Sequence, residues 1–440
     1  MEEDVPISEE AVQTEEAKKM EDNEASIGKD KYSIKQFAKS LMEIFEEPTP
    51  EQKEKRDFFK SVDIFSLADY FPRYKSNQAQ YAITKFLDEK CTIKKIANYN
   101  DGMEIAPDYE LLYINRKKRI KVLEYADVFC IYKNTKFVVK IYFSSQTRMI
   151  KLYFVKDNIS IAEGFLKDFR SFMFKFNLYK NEKINFNHGF LSFLKYKKKS
   201  WEDIIISDEI KKDISNNLLF LLENKKKCKK LSIPWRRGIL LEGKPGTGKT
   251  LLGNILCNIL KCTVIWVSSK SIQDSSDIAL LFDAARYLSP SLIFFEDIDL
   301  FGTDRDIERS RILGELLTQL DGAEENEGVF IIATTNKPHL LDRALVNRPS
   351  RFDIRIRIEK PNEKEREQLV RIFSNKKLYL NNCNDKIPEM TEDLTGAQIQ
   401  EVIVHSTIKS LSDNRDYIRF KDLNESLKKL KMTINLEYIK

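Results

Sequence analysis

A glycine-rich octapeptide that follows a short apolar run constrains the fold of this chain more than any other feature. The run Gly238–Glu242 predicts a buried strand, and the segment Thr250–Leu260 has the apolar spacing of a helix. The residues that join them are Gly243, Lys244, Pro245, Gly246, Thr247, Gly248, Lys249 and Thr250, and Leu251 follows. This arrangement matches G-x-x-x-x-G-K-[ST], in which backbone N–H groups and the positive end of a helix dipole surround a phosphate. The octapeptide therefore predicts a phosphate-binding loop.

Two side chains of this loop carry chemistry of their own. Lys249 supplies a mobile positive charge for the β- and γ-phosphates of a nucleoside triphosphate, and Thr250 supplies a hydroxyl ligand for Mg²⁺. Lys244 adds a second cation, which we expect to face solvent; the alternative is a further contact with phosphate. The loop thus predicts a nucleotide that binds together with Mg²⁺.

An apolar run that ends in carboxylates lies about fifty residues after the loop. The run Ser291–Glu296 predicts a second buried strand, and Asp297 follows it directly. Carboxylates in this position suit two tasks, which are holding the water shell of a metal ion and activating a water molecule. We interpret Glu296 and Asp297 as such a pair; the alternative is a buried strand that ends in an acidic turn.

Two further segments fit the same reaction. The run Gly328–Thr334 predicts a strand, and Asn336 just after it is placed to orient an attacking water. Arg348 and Arg351 stand three residues apart on either side of a proline, which suits the stabilisation of transition-state charge. Taken alone, an asparagine commonly ends a strand and the two arginines equally fit surface salt bridges.

Alternating strands and helices occupy the chain from Trp201 onward, and helical patterns follow Pro361. Short apolar runs of this kind predict buried parallel strands in a doubly wound sheet. The predicted strands are Gly238–Glu242, Thr263–Ser268, Ser291–Glu296 and Gly328–Thr334, and the predicted later helices are Glu363–Ser374, Gly396–Leu411 and Phe420–Leu430.

The order and spacing of these segments resemble the AAA family of ATPases, over about Trp201 to Leu430. The resemblance implies a P-loop α/β fold, with a three-layer parallel five-stranded sheet and a C-terminal helical lid. It also implies hydrolysis of Mg·ATP by a homo-oligomer, a hexameric ring whose active sites lie between subunits. By motif, it assigns metal binding to Thr250 and Glu296, and catalysis to Lys249, Asp297, Asn336 as first sensor, and Arg348 and Arg351 as fingers that reach the neighbour's ATP. It places Asp203, Ile204, Gly396 and Ala397 beside the adenine.

This sequence departs from the family pattern at several positions. Most members carry Asp-Glu where this chain has Glu296-Asp297, although a subset related to mitochondrial respiratory-complex assembly chaperones shares the inverted order. We therefore expect hydrolysis, with a shorter catalytic carboxylate. The segment Ser268–Asp277 lacks the aromatic-glycine pore loop of unfoldase relatives, which argues against threading of a polypeptide. Ile206 replaces a glycine that often precedes the large domain.

The first half of the chain has a different composition. Residues 1–30 hold eleven acidic and three basic side chains and almost no large apolar residues, so we predict a disordered acidic tail there. Residues 31–198 predict an α+β domain for a protein substrate or adaptor, 199–360 the large ATPase domain and 361–440 the helical lid domain. The predicted N-terminal elements are strands Glu110–Ile114, Val128–Tyr132, Lys136–Phe143 and Met149–Val155, and helix Gly164–Leu178.

Charge and cysteine usage limit the other possibilities. The net charge of +6 combines −8 in residues 1–30 with +14 elsewhere, which fits either a lysine-rich solvated surface or a nucleic-acid footprint. The basic residues are dispersed, which favours the solvated surface. The six cysteines form no C-x-x-C pair, which argues against zinc and fits a reducing compartment. Without a signal sequence or an apolar run of membrane-spanning length, we predict a cytoplasmic location, with the nucleus as the alternative.

Three functions are consistent with these patterns. The motif set and the separate N-terminal domain favour a Mg·ATP-dependent ATPase that remodels proteins or protein complexes. The inverted Glu296-Asp297 order leaves open an ATP-gated assembly with little hydrolysis. The basic charge leaves open a nucleic-acid motor or loader.

Overall fold

The computed structural model describes residues 48–100, 103–301, 307–322, 326–341, 345, 351–374, 379–380 and 387–437. Two predictions, the acidic tail of residues 1–30 and the finger Arg348, lie outside these residues. Within the described part, the chain forms an N-terminal α+β module, a large α/β domain and a helical lid. No helix of this part is long and apolar enough to cross a membrane.

An antiparallel sheet forms the centre of the N-terminal module. Its order is β1-β7-β6-β5-β2-β3, and β4 pairs with the first half of β5. The strands are β1 (Ile64–Tyr70), β2 (Thr92–Asn100), β3 (Met103–Ile105), β4 (Asp108–Tyr113), β5 (Arg119–Tyr132), β6 (Thr135–Phe143) and β7 (Arg148–Val155). The predicted strands are therefore present, but β5 begins nine residues earlier than predicted because its first half pairs with β4.

Three helices cover this sheet. They are α1 (Pro50–Phe59), α2 (Ser76–Lys90) and α3 (Ile159–Lys175). Helices α2 and α3 bury apolar side chains at helical spacing against one face, among them Phe86 and Phe165. Helix α1 covers part of the other face with Phe58 and Phe59. Helix α3 starts five residues before the predicted start, because Gly164 lies inside the helix rather than at its beginning.

A sheet that is parallel except for its edge strand β9 forms the centre of the large domain. Its order is β14-β10-β13-β12-β11-β8-β9. The strands are β8 (Lys183–Asn187), β9 (Phe190–Phe193), β10 (Arg237–Glu242), β11 (Thr263–Ser268), β12 (Ser291–Glu296), β13 (Val329–Thr335) and β14 (Ile354–Arg357). The helices are α4 (Asp208–Ile214), α5 (Phe220–Glu223), α6 (Lys225–Lys230), α7 (Lys249–Ile259), α8 (Ser275–Tyr287) and α9 (Ile307–Asp321). Two apolar cores, one on each face, bury the sheet, as its continuous apolar strands predicted.

The predicted five-stranded sheet is wrong in its extent, since the sheet has seven strands. The hairpin of β8 and β9, which the sequence placed in the N-terminal domain, adds to β11 through parallel pairing of β8. Without it, β11 would present unpaired N–H and C=O groups at the sheet edge. The boundary predicted at residue 198 therefore lies beyond two strands that belong to the sheet of the large domain.

The start of α2 and the short turn before it hold the N-terminal module against the large domain. Gln78 Nε2 donates to Tyr287 Oη over 2.9 Å, and Arg73 donates to the backbone oxygen of His188 in the β8–β9 turn over 3.2 Å. The His188 N–H in turn donates to Ser271 O over 3.0 Å. This chain of contacts joins the module to the segment after β11.

A helical lid completes the described chain. Its helices are α10 (Glu363–Ser374), α11 (Ile387–Met390), α12 (Gly396–Ser412) and α13 (Phe420–Glu437), with short parallel strands β15 (Tyr379–Leu380) and β16 (Tyr417–Ile418). Thr395 caps α12, because its hydroxyl accepts from Gln398 N while the Gln398 side chain accepts from Thr395 N. The start of this helix therefore has a fixed position, and Ala397 N donates to Gly246 O over 3.1 Å. The lid thus contacts the glycine-rich loop directly.

Candidate active site

The glycine-rich loop lies at the carboxyl end of β10 and leads into α7. Gly246 and Gly248 have φ angles of +79° and +105°, a region that favours glycine. A Cβ at Gly246 would lie 2.8 Å from Thr395 Oγ1, so the lid also excludes a side chain there. The sequence forms a cradle because glycine permits both the backbone turn and the close approach of the lid.

Lys249 is buried at the start of α7 and faces this cradle. Its Nζ donates to Gly243 O over 2.7 Å and to Lys244 O over 2.9 Å. Burial lowers the pKa of Lys249, and the nearby Asp297 and Asp299 oppose that shift. A buried ammonium held by loop carbonyls can exchange them for stronger phosphate acceptors. The Lys244 side chain is exposed, as we expected for a side chain that faces solvent.

Thr250 and Glu296 form the first of two hydrogen-bonded pairs beside the loop. Thr250 Oγ1 donates to Glu296 Oε1 over 2.7 Å, and Trp266 Nε1 donates to Glu296 Oε2 over 3.3 Å. Mg²⁺ prefers oxygen ligands and retains several waters, so a hydroxyl beside a carboxylate fits its coordination. Trp266 was not predicted as a site residue, because a tryptophan in a strand ordinarily belongs to the core.

Asp297 and Asn336 form the second pair. Asn336 Nδ2 donates to Asp297 Oδ1 over 2.9 Å, and the Asp297 N–H donates to Thr334 Oγ1 over 3.0 Å. Asp297 has a φ of +53°, so the chain turns sharply after β12. Burial raises the pKa of Asp297, and the charges of Asp299 and Glu296 raise it further. A carboxylate is a more effective general base when its pKa lies closer to neutral pH, so this upward shift suits Asp297 to the removal of a proton from water.

Asp299 is a site residue that the sequence did not identify. It is buried, and its Oδ1 accepts from the backbone N–H of Asn336 over 3.2 Å. This contact fixes the backbone of the residue that holds Asp297. The signal available in the sequence was the third carboxylate of Glu296-Asp297-Ile298-Asp299, which alone does not distinguish a site residue from an acidic turn.

A cavity of about 740 Å³ opens between the loop, the lid and the segment before α4. Its size lies within the range typical of small-molecule sites. The predicted residues that line it are Asp203, Ile204, Pro245, Gly246, Thr247, Gly248, Lys249, Thr250, Leu251, Asp297, Asn336, Gly396 and Ala397. Ile206 also lines the cavity, so the residue that replaces the family's glycine forms part of an apolar wall. The cavity is lined both by polar groups of the glycine-rich loop and by aliphatic side chains such as Ile204, which fits a ligand with phosphates and a base.

Arg351 lies elsewhere, with only 5% of its surface exposed. Its Nε and Nη2 each donate to a different oxygen of Asp321 over 2.6 Å. Its charge is therefore engaged at the carboxyl end of α9, and it does not line the cavity. The predicted role in a neighbouring subunit stays a prediction for Arg351 as for Arg348.

Comparisons with known proteins agree with this geometry. The family model described as "ATPase family associated with various cellular activities (AAA)" matches residues 239–360. The chain is 31% identical over 246 residues to an ATP-dependent zinc metalloprotease FtsH of Metamycoplasma arthritidis, covering 53% of this chain and 33% of that protein. It is 34% identical over 218 residues to a proteasome-activating nucleotidase of Methanocella arvoryzae, covering 46% of this chain and 51% of that protein.

A putative cell division cycle ATPase of Plasmodium falciparum is 32% identical over 252 residues, covering 54% of this chain and 20% of that protein. The chain thus spans about half or less of the length of these relatives, and the similarity is confined to about half of this chain.

Proposed function

Because residues 239–360 form an AAA ATPase domain, we propose that this chain hydrolyses Mg·ATP in a ring of identical subunits and uses the energy to remodel proteins or protein complexes. The observation that carries the proposal is the presence of two adjacent polar pairs beside the glycine-rich loop. Thr250 with Glu296 suits a metal ion, and Asp297 with Asn336 suits a water molecule.

The residues divide the reaction between them. The loop N–H groups and Lys249 hold the phosphates, and Thr250 and Glu296 would hold Mg²⁺, which neutralises phosphate charge when bound. Asp297 accepts a proton from the attacking water, and the Asn336 amide keeps that carboxylate oriented. The buried position of Asp299 keeps Asn336 in place.

The inverted order of the acid pair is compatible with hydrolysis in this geometry. The longer Glu296 side chain reaches Thr250 from the last position of β12. The shorter Asp297 side chain reaches Asn336 because the backbone turns through a left-handed conformation at that residue. Each carboxylate therefore has a separate partner. This arrangement favours an enzyme that hydrolyses ATP over an assembly that binds ATP with little hydrolysis.

Turnover of ATP is the direct test. Wild-type protein with Mg²⁺ should hydrolyse ATP at a rate per subunit that rises with protein concentration, and Lys249→Ala should abolish turnover. Asp297→Asn should bind ATP but lose roughly 10²–10⁴-fold in rate, the usual contribution of a general base. Asp208→Asn is the matched control, since Asp208 is fully exposed and outside the cavity.

The alternatives give different results in the same assay. Near-normal turnover by Asp297→Asn would refute the assignment of the base. ATP binding without turnover by wild type at every protein concentration would favour the ATP-gated assembly. Stimulation of turnover by DNA or RNA, with salt-sensitive binding, would favour the nucleic-acid motor.

The resemblance to AAA proteins supports a ring, and the contacts of Arg351 bear on which arginine reaches the neighbouring subunit. Since Asp321 holds the Arg351 guanidinium within its own chain, we assign contact with the neighbour's ATP to Arg348 and a positioning role to Arg351. Arg348→Ala should leave nucleotide binding intact while turnover falls. Mixing Arg348→Ala with Lys249→Ala subunits should restore partial activity; no recovery in the mixture would argue against a site shared between subunits.

The N-terminal module is the candidate for contact with a protein substrate or adaptor. Its contacts with α8 and with the β8–β9 turn place it beside the segment after β11. In that segment, the residues from Ser268 to Asp277 contain no aromatic side chain. We therefore expect remodelling by movement of a bound partner rather than by an aromatic grip on a threaded chain.

A further inference from the structure

A dense group of lysines occupies the surface at the opposite end of the sheet from the loop. Helix α6 spans Lys225–Lys230 and contains five lysines in six residues, all of them exposed. Its remaining residue, Cys228, is buried in the core of the large domain and fixes the helix to it. The lysines are therefore held on one rigid element rather than on a free segment.

The charge of this helix is mostly uncompensated. Lys225 pairs with Glu327 over 3.2 Å. Across the described ranges, no carboxylate lies within ion-pair distance of Lys226, Lys227, Lys229 or Lys230. Like charges at this density repel one another, so the surface attracts an extended anionic partner.

Exposed apolar side chains border the lysines. Leu231 and Ile233, directly after α6, are 68% and 44% exposed, and Phe220 is 50% exposed. Lys227 Nζ lies 5.9 Å from the Phe220 ring centroid, so cations and apolar groups share one surface. Such a combination is typical of proteins that bind an anionic membrane surface, where lysines meet the headgroups and apolar side chains enter the acyl boundary.

A recess lies beside the helix. A cavity of about 510 Å³ is lined by Lys225, Lys229 and Arg236, among other residues, next to Trp235. Glu327, which pairs with Lys225, also lines this recess, so Lys229 and Arg236 are the cations that offer a place for a lipid phosphate. The apolar border and the recess together form one surface with α6, which we call the lysine surface.

We propose that the lysine surface docks the protein onto bilayers that contain anionic phospholipids. The most exposed apolar side chains of this surface include Leu231 and Ile233, which gain from insertion into a bilayer and, being aliphatic, offer no ring on which a base could stack. The surface precedes β10, and the glycine-rich loop follows it, so the six residues of that strand separate the two by about 20 Å. Docking therefore leaves the nucleotide cavity open, and this proposal does not depend on ATP turnover.

Vesicle co-sedimentation tests the proposal. Wild-type protein should bind vesicles of phosphatidylcholine with about 30% phosphatidylserine (a composition chosen for the assay) and not pure phosphatidylcholine, and about 0.5 M salt should release it. Lys226→Gln/Lys229→Gln/Lys230→Gln should weaken binding about 100-fold, since each lysine near an anionic surface contributes about fivefold. Leu231→Ser/Ile233→Ser should weaken it about tenfold.

The matched control is Lys195→Gln/Lys197→Gln/Lys198→Gln. These three lysines are also exposed, and their replacement removes the same charge from a segment that is not part of the lysine surface. The vesicle affinity of this control should stay within about threefold of the wild-type affinity. Every variant should keep the wild-type midpoint of urea denaturation by tryptophan fluorescence, which reports an intact large domain. Equal losses of affinity in the two triple variants would mean that binding depends on net charge alone, which would overturn the proposal. Binding of a single-stranded oligonucleotide, with none to anionic vesicles, would assign the lysine surface to nucleic acid instead.

Discussion

In the helix after the glycine-rich loop, one glycine lies directly against a ring of the strand that carries the acid pair. A Cβ at Gly253 of α7 would lie 2.4 Å from Phe294 Cζ and 2.7 and 2.8 Å from two neighbouring ring atoms. Ordinary carbon contacts are about 3.5–4.0 Å. Gly253→Ala therefore requires the helix or the ring to move by about 1 Å, which would displace Lys249 relative to Glu296.

Two effects of opposite sign determine how much Gly253→Ala changes the free energy of unfolding. Alanine in place of glycine within a helix stabilises by about 1 kcal/mol. Overpacking of a buried core costs about 1–3 kcal/mol, and the upper value applies here because Phe294 is fully buried and stacks on Trp266, with ring centroids 4.4 Å apart. We expect Gly253→Ala to lower the free energy of unfolding by about 2 kcal/mol.

Tryptophan fluorescence during urea denaturation measures this change. All three tryptophans, Trp201, Trp235 and Trp266, lie in the large domain or at its start, so the signal follows that domain and not the N-terminal module. The matched control is Gly314→Ala in α9, where an added Cβ meets no atom within 4 Å. That control should raise the free energy of unfolding by about 1 kcal/mol.

A second background separates the clash from other effects. In a Phe294→Leu protein, Gly253→Ala should be neutral or stabilising, because the ring that blocks the Cβ is gone. The reasoning is refuted if Gly253→Ala stabilises the wild-type protein as Gly314→Ala does, or if its cost is unchanged in the Phe294→Leu background.

Three further changes test the site and the lid. Asp299→Asn removes a charge that raises the pKa of Asp297, so the acid limb of the pH–rate profile should move to lower pH. If the limb does not move, the group that titrates there is not Asp297. Trp266→Phe removes the donor to Glu296 but keeps a ring over Phe294, so the Mg²⁺ concentration for half-maximal turnover should rise about tenfold. If that concentration is unchanged, the indole N–H does not contribute to Mg²⁺ binding. Thr395→Ala removes the cap of α12 and should destabilise the lid by about 1 kcal/mol in thermal unfolding, whereas Thr395→Ser should preserve it.

The elements with strong local signals could be predicted from the sequence. Strands β11 and β12 and helix α10 have the predicted bounds, because continuous apolar runs and helical spacing are properties of neighbouring residues. The motifs also placed Asp297 and Asn336 in one predicted site, although the hydrogen bond between their side chains was not predicted. Motif and periodicity were sufficient for these features.

Other features depend on residues that are distant in the sequence. Strand β8 pairs in parallel with β11 across the whole of the intervening α4–α7 segment, and nothing in its local pattern distinguishes that partner from the antiparallel sheet before it. The contact of Asp299 with the Asn336 backbone and the fork between Arg351 and Asp321 depend on loop conformations that residue types alone do not determine. These contacts required the folded chain.

The hairpin of β8 and β9 affects how this protein can be divided. A truncation that begins at residue 199 would remove both strands and leave β11 as an open edge, which invites pairing with other chains. A chimera joined at that point would inherit the same defect, whereas a junction before Lys183 would keep the sheet whole. Arg73 donates to the backbone of His188 in the turn of this hairpin, so we expect the N-terminal module to move together with that edge of the sheet.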